Sequence, residues 1–424
     1  MSSAEDFEGK AKKVRGVYEE HPYPAEDASV LTDWRWRLAP MEWMEALWKP
    51  GGKEAAPKRI LVAGCGTGRE AFQLRRRFPK AEIVAVDFSP RSISIARELQ
   101  KLKPTMRSIQ FAVADLAKAD FCTTAGGDFD FISCHGVLSY IPRPERALGN
   151  LGRCLAQEGA LYLGVNGKTH HSVGGRHLLK AFGIDPLSFQ ESRRLRQLLQ
   201  MSDSLLGREG EARLAKRPAG YLAGDLFGPV IHNLPLGKWI AMAATAKLHL
   251  QGDYGAYHLL RRVLENDLAP LLMPLSRAEQ CELVDALAPA SFHSLLFMRR
   301  PAIEPPWKDT EALLEWRTVR TNLHQVRLPK RTGSWGALRK VTFRSAATNT
   351  RMDCELPEWE LEILRRSDGT SSLRSVVQNI PFSIPRETLR RQLFILTQLL
   401  AIQLRPPMTA HNVGLQQKPS AGRR

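Results

Sequence analysis

Three glycines spaced Gly64-x-Gly66-x-Gly68 stand between an apolar run, Ile60-Leu61-Val62-Ala63, and a helical pattern that opens at Arg69-Glu70-Ala71-Phe72. Glycine tolerates positive φ and lets backbone approach a ligand closely. A helix start offers unpaired N–H groups and a positive dipole end, which suit a carboxylate or phosphate. Residues 60–68 therefore read as a buried strand, a tight turn and a helix start that together cradle a nucleotide-type cofactor. Nineteen residues after Gly68, the apolar strand Ile83-Val84-Ala85-Val86 runs into Asp87, placed to accept hydrogen bonds from ribose hydroxyls. The strand Ile109-Gln110-Phe111-Ala112-Val113 leads to Asp115, and Phe129-Asp130-Phe131-Ile132-Ser133-Cys134 ends at His135-Gly136. Polar residues thus fall at the carboxyl ends of successive strands, the edge at which open α/β sheets bind ligands.

The glycine spacing is not the G-x-G-x-x-G of a dinucleotide fold, and no G-x-x-x-x-G-K-[ST] phosphate loop occurs. Ile60 to Gly68 form a first motif, and Val86-Asp87-Phe88-Ser89-Pro90 with Ile95-Ala96-Arg97 a second. Ala114-Asp115-Leu116, Phe129 to Pro142 and Gly159-Ala160-Leu161-Tyr162-Leu163 follow. With these, the chain resembles the class I S-adenosylmethionine-dependent methyltransferases over about residues 15–165. Val17-Tyr18-Glu19-Glu20-His21-Pro22-Tyr23-Pro24 resembles the Tyr-x-x-x-Pro-Tyr-Pro signature of a narrower bacterial group. That group includes protein-lysine methyltransferases and proteins with an appended regulatory region. His135-Gly136-Val137-Leu138-Ser139-Tyr140 is similar to its fourth motif.

The resemblance implies S-adenosyl-L-methionine as cofactor. It would set Gly64, Cys65, Gly66, Thr67 and Gly68 around the methionine moiety and Asp87 on the ribose hydroxyls. Phe88 would pack on the adenine, and Asp115 would accept from the adenine amino group beside Leu116. Tyr18 and Tyr23 would fold over the cofactor as a lid, their rings able to contact a sulfonium cation. The family usually carries an acid two residues before the first glycine. This chain has Val62 there, which removes a side chain that often orders the loop and the cofactor's amino group.

Methyl transfer from a sulfonium asks chiefly for in-line alignment, which can supply about 7–11 kcal/mol of barrier reduction. A general base helps only where the acceptor carries a proton. His135, just after the fourth strand, is the candidate base or acceptor-orienting residue; the alternative is a hydrogen-bonded structural histidine in a His-Gly turn. No Asn/Asp-Pro-Pro-Tyr/Phe stands at this position, which argues against a nucleobase-amine methyltransferase. His170 and His171, in the loop after the fifth strand, invite a metal reading. A site needs at least one more ligand and supporting hydrogen bonds, and the sequence nearby supplies none, so they are expected as surface-loop histidines.

At 424 residues the chain has room for two or three domains. No run of 18 apolar residues occurs, so no membrane-spanning helix is expected, and Met1-Ser2-Ser3-Ala4-Glu5-Asp6 is too polar for a signal peptide. Six scattered cysteines without a C-x-x-C pair fit a reducing cytoplasm and argue against a disulfide scaffold or zinc site. The net charge of +17 invites a nucleic-acid partner. However, from Glu304 on, 20 Lys and Arg face 11 Asp and Glu, so about half the excess lies in each part of the chain. Single-sign runs are as short as Arg75-Arg76-Arg77. Solvated faces account for this, and nucleic acid is not the favoured partner.

These elements predict an α/β fold. It would be a Rossmann-like seven-stranded sheet with a helical insertion, followed by a smaller C-terminal α+β, winged-helix-like domain. Residues 1–58 form a helical extension, and 59–303 the sheet domain, with the insertion at about 176–285. Residues 304–406 form the smaller domain and 407–424 a disordered tail. Helical spacing runs from 176 to 290, as in Leu195, Leu198, Leu199, Leu205 and Leu206, before a terminal strand at 291–301. In the smaller domain, Pro357–Leu364 reads as a helix, Ser367-Asp368-Gly369-Thr370 as a turn, and Arg386 to Leu404 as one long helix. Two functions fit. One is a methyltransferase acting on a protein, peptide or small molecule. The other is a catalytically silent cofactor-binding module that acts through its C-terminal domain.

Overall fold

The computed structural model describes residues 4–24, 26–32, 40–49, 56–174, 177, 181, 183, 219–264, 268–345 and 351–407. The leucines at 195–206 and the 408–424 tail lie outside the described residues. The chain divides into two compact units. The first comprises 1–39, 56–256 and 281–301; the second comprises 40–55, 257–280 and 302–424.

The first unit is built on seven strands: β1 (Arg59–Ala63), β2 (Glu82–Asp87), β3 (Ile109–Val113), β4 (Phe129–His135), β5 (Leu155–Asn166), β6 (His249–Asp253) and β7 (Phe292–Met298). Their order is β3-β2-β1-β4-β5-β7-β6. All neighbours run parallel except β7, which is antiparallel to both β5 and β6. The apolar runs in β1 and β2 are continuous because helices cover both faces of a parallel sheet, while β4 mixes Phe129, Phe131 and Ile132 with Asp130 and Ser133. Ile60, Leu61, Phe131, Ile132, Leu161 and Tyr162 are fully buried there. Each such side chain contributes about 1.5–3 kcal/mol by leaving water.

The strand β6 corrects the helical reading of 176–290. His249-Leu250-Gln251-Gly252-Asp253 carries little apolar signal, and pairing with β7 makes it a strand. A helix, Leu236–Thr245, precedes it as expected. The parallel strands and β6 all present their carboxyl ends at one edge, where β7 begins.

The second unit is α+β. It holds two three-stranded sheets. One joins β9 (His324–Val326), β10 (Leu338–Ser345) and β11 (Arg351–Pro357); the other joins β8 (Arg317–Arg320), β12 (Asp368–Ser372) and β13 (Ile402–Arg405). The stretch expected as a turn at 367–370 belongs largely to β12, and the long helix stops at Gln398. There Leu400 takes φ +51, the chain reverses, and β13 pairs with β8. The helix Glu358–Arg366 is nearly all buried, including three carboxylates. Glu362 pairs with Arg331, Arg365 and Arg366, and Glu358 accepts the Thr332 N–H at 2.7 Å. Among the described residues Glu360 has no hydrogen-bond partner for either oxygen, and burial pushes its carboxyl up to about 8.

Candidate active site

The turn after β1 folds as the sequence dictates. Gly64 takes φ +76, and a Cβ there would lie 2.3 Å from Val137. Gly66 takes φ +52, and a Cβ there would lie 2.3 Å from the Tyr23 carbonyl oxygen. No side chain fits either position. Gly68, at φ +98, is the N-cap of the helix Arg69–Arg77. The Gly64 and Cys65 N–H groups donate to the Val86 carbonyl, tying the turn to β2.

Asp87 ends β2 and is 8% exposed. Its Oδ2 accepts the Gly66 N–H at 2.8 Å, and Oδ1 accepts the Ser89 N–H at 2.9 Å. Burial raises its pKa, while these N–H donors oppose the rise. Each carboxylate oxygen keeps a further lone pair for a ligand hydroxyl. Phe88 is half-buried beside it. Asp115 is also half-buried; its Oδ1 accepts the Ala117 N–H at 2.9 Å, and Leu116 is buried next to it.

The segment that follows the N-terminal helix Ala4–Glu20 lies on this turn. The Tyr23 carbonyl accepts the Thr67 N–H at 3.0 Å. Tyr18 meets Phe88 edge-on, ring centroids 5.9 Å apart. Burial, then Asp225 and Asp87, push the Tyr18 hydroxyl well above its ordinary pKa. The Arg91 guanidinium donates to the Glu19 carbonyl at 2.7 Å and pairs with Glu26. The cofactor-binding candidates on Tyr18, Tyr23, the glycine turn and Asp87 are therefore in one place. The Thr67 hydroxyl is fully buried and has no hydrogen-bond partner among the described residues. A buried, unpaired hydroxyl within a glycine turn at a helix start fits a polar ligand group approaching the turn.

His135 ends β4. Its Nδ1 lies 2.8 Å from the Tyr162 hydroxyl, and its ring centroid lies 5.1 Å from that of Phe292. Gly164 on β5 makes the room, because a Cβ there would be 2.5 Å from Nδ1. Burial pushes the imidazole down to about 4, so it is neutral across the physiological range. A proton on so acidic an imidazolium is held weakly, and this favours orientation over general-base work.

Beyond His135 the carboxyl edge carries a polar network that the sequence motifs do not announce. The Tyr140 hydroxyl bonds the Asn166 side chain. Asn166 Nδ2 donates to Asn233 Oδ1 at 3.2 Å, and Asn233 Nδ2 donates to Ser172 Oγ at 2.8 Å. Ser172 Oγ meets His170 Nδ1 at 2.8 Å. His171 Nε2 lies 2.6 Å from the Tyr221 hydroxyl. His170 is thus no surface residue: it is 5% exposed, and burial with the neighbouring His171 pushes it down to about 3. Among the described residues no cluster of His, Cys, Asp or Glu could hold a metal. Tyr221 borders a π-helical turn, Leu222–Leu226, of a kind frequent at functional sites.

The sheet order and this edge define the fold of a class I methyltransferase. Residues 61–161 match the family model of the methyltransferase domain. Over 332 residues the chain is 26% identical to an uncharacterized protein of Synechococcus sp., covering 72% of this chain and 76% of that protein. Demethylmenaquinone methyltransferase of Thermus thermophilus is 38% identical over 108 residues, which span 26% of this chain and 47% of that enzyme. The structure of PKMT2 from Rickettsia typhi in complex with AdoHcy superposes with a TM-score of 0.50 at 15% identity, over 87% of this chain and 76% of that one. That likeness is one of fold.

Proposed function

We propose that this protein is an S-adenosyl-L-methionine-dependent methyltransferase whose acceptor is a protein, a peptide or a small molecule. One observation carries the reading. The glycine turn, Asp87 and the Tyr18–Tyr23 segment are locked together through Gly66 N–H to Asp87 and Thr67 N–H to Tyr23, with the Thr67 hydroxyl left for a ligand. Gly64, Cys65, Gly66, Thr67 and Gly68 would hold the methionine moiety, and Asp87 the ribose. Phe88, Asp115 and Leu116 would line the adenine, and Tyr18 and Tyr23 would cover the site. The bound cofactor supplies an electrophilic methyl group. The chain's own part is to align the acceptor, exclude water and leave a neutral His135 beside the β4 end, bonded to Tyr162.

The Tyr140–Asn166–Asn233–Ser172 network, at the carboxyl ends of β4 and β5, supports an acceptor wall next to His135. In this reading residues 304–406 are an appended module, supported by strands β8 to β13, which among the described residues pair only with one another. No described helix is long and apolar enough to cross a membrane.

The test is calorimetry with S-adenosylmethionine and S-adenosylhomocysteine, followed by labelled-methyl incorporation into fractionated lysate. Binding with incorporation into one fraction is expected and identifies the acceptor class. Binding without incorporation into any fraction would favour a silent module, and no binding would remove the cofactor.

A further inference from the structure

We infer that Glu70 recognises the positively charged amino group at the amino-acid end of the cofactor. The inference rests on the methyltransferase reading above. Glu70 lies in the first turn of the helix that starts at Arg69, immediately behind the glycine turn. Its Oε1 accepts a hydrogen bond from Ser133 Oγ at 2.6 Å. Ser133 stands on β4 directly opposite Val62 on β1, two residues before Gly64. Glu70 therefore delivers its carboxyl, from the helix, to the strand position that is itself apolar in this chain. It is close enough to act electrostatically on the Cys65 thiol in the turn and on Tyr162.

Glu70 is 7% exposed. Beyond the Ser133 bond it has no partner among the described residues, and no cationic side chain pairs with it. A buried carboxylate without a cation is costly and tends to take up a proton instead. Burial indeed pushes Glu70 up to about 7, with the Ser133 bond opposing the rise. The chain supplies the acid and withholds the cation. A ligand whose carboxylate meets the helix start and whose ammonium lies a few bonds away would supply it. The amino-acid end of the proposed cofactor is such a group.

The competing explanation is that Glu70 simply staples the helix to β4 through Ser133. Two ligands separate these. S-adenosylhomocysteine carries the amino acid; 5′-methylthioadenosine carries the same nucleoside and sulfur without it. Calorimetry is run with both on the full chain, as wild type, Glu70→Gln, and Glu70→Gln with Val62→Asp. Glu70→Gln should weaken S-adenosylhomocysteine at least tenfold and leave 5′-methylthioadenosine unchanged within twofold. Restoring a carboxylate at 62 should recover part of the loss. If Glu70→Gln fails to fold, Ser133→Ala removes the anchor but keeps the acid, and should weaken only the ligand with the amino group. Equal losses for both ligands, or none for either, would overturn the inference. Wild-type protein that binds neither ligand would instead refute the cofactor reading on which it rests.

Discussion

Glu360 offers the sharpest physical test of this fold. It is 1% exposed, and neither carboxylate oxygen has a partner among the described residues. Its pKa rises from the usual 4.5 to about 8 through burial alone. The folded state therefore binds this proton more tightly than the unfolded chain. By linkage, stability falls as pH rises between the two values and levels off above the upper one. At about 1.4 kcal/mol per unit, the loss reaches about 5 kcal/mol by the end of that window, and about 3 kcal/mol at neutral pH. Glu360→Met replaces the carboxyl with an apolar chain of similar length. The variant should match or exceed wild type at pH 5 and gain steadily on it toward pH 8. Urea unfolding of both proteins, followed by tryptophan fluorescence every half unit, measures the difference, in which all other titrating groups cancel. A variant with the wild-type slope would refute the claim that this carboxyl is buried and unpaired.

Asp87→Asn keeps the shape but offers one acceptor oxygen to two N–H donors, a loss of about 1–3 kcal/mol. S-adenosylhomocysteine affinity by calorimetry should drop tenfold or more, and an unchanged Kd would take Asp87 out of the site. Gly66→Ala forces a Cβ to 2.3 Å from the Tyr23 oxygen at φ +52. Strain of about 1–3 kcal/mol should lower the melting temperature and abolish the ligand-induced shift in Tm. Because His135 is neutral above about 4, His135→Gln should change the methylation rate by the same factor from pH 5.5 to 8.5. A step near pH 6.5 present only in wild type would show that His135 titrates there instead.

Much of the sheet is legible in the sequence for a physical reason. Strands buried on both faces favour apolar runs, so β1, β2 and the core of β5 stand out as Ile60–Ala63, Ile83–Val86 and Gly159–Leu163, and β4 through Phe129, Phe131 and Ile132 despite Asp130 and Ser133. The glycine turn stands out because contact with Val137 and the Tyr23 carbonyl excludes every side chain. β6 is not legible: a five-residue edge strand with one leucine owes its form to β7 rather than to its own pattern. The end of the long helix at Gln398 is hidden for a similar reason, since apolar Leu399, Leu400 and Ile402 continue the helical spacing through the reversal. The Tyr140–Asn166–Asn233–Ser172 network joins residues up to 93 positions apart, read off their numbers. No local spacing encodes it. The burial of His170 is hidden too, because loop position says little about which loops the fold covers.

The bond from Thr67 to the Tyr23 carbonyl makes a distant stretch of chain part of the candidate site. Peeling residues 18–24 away would uncover a main-chain donor and remove the contacts that Phe88 and Arg91 make with this segment. Events at the amino-terminal helix, such as proteolytic nicking or capture by another protein, would then be felt as changes in ligand affinity without any alteration of the residues that touch the ligand.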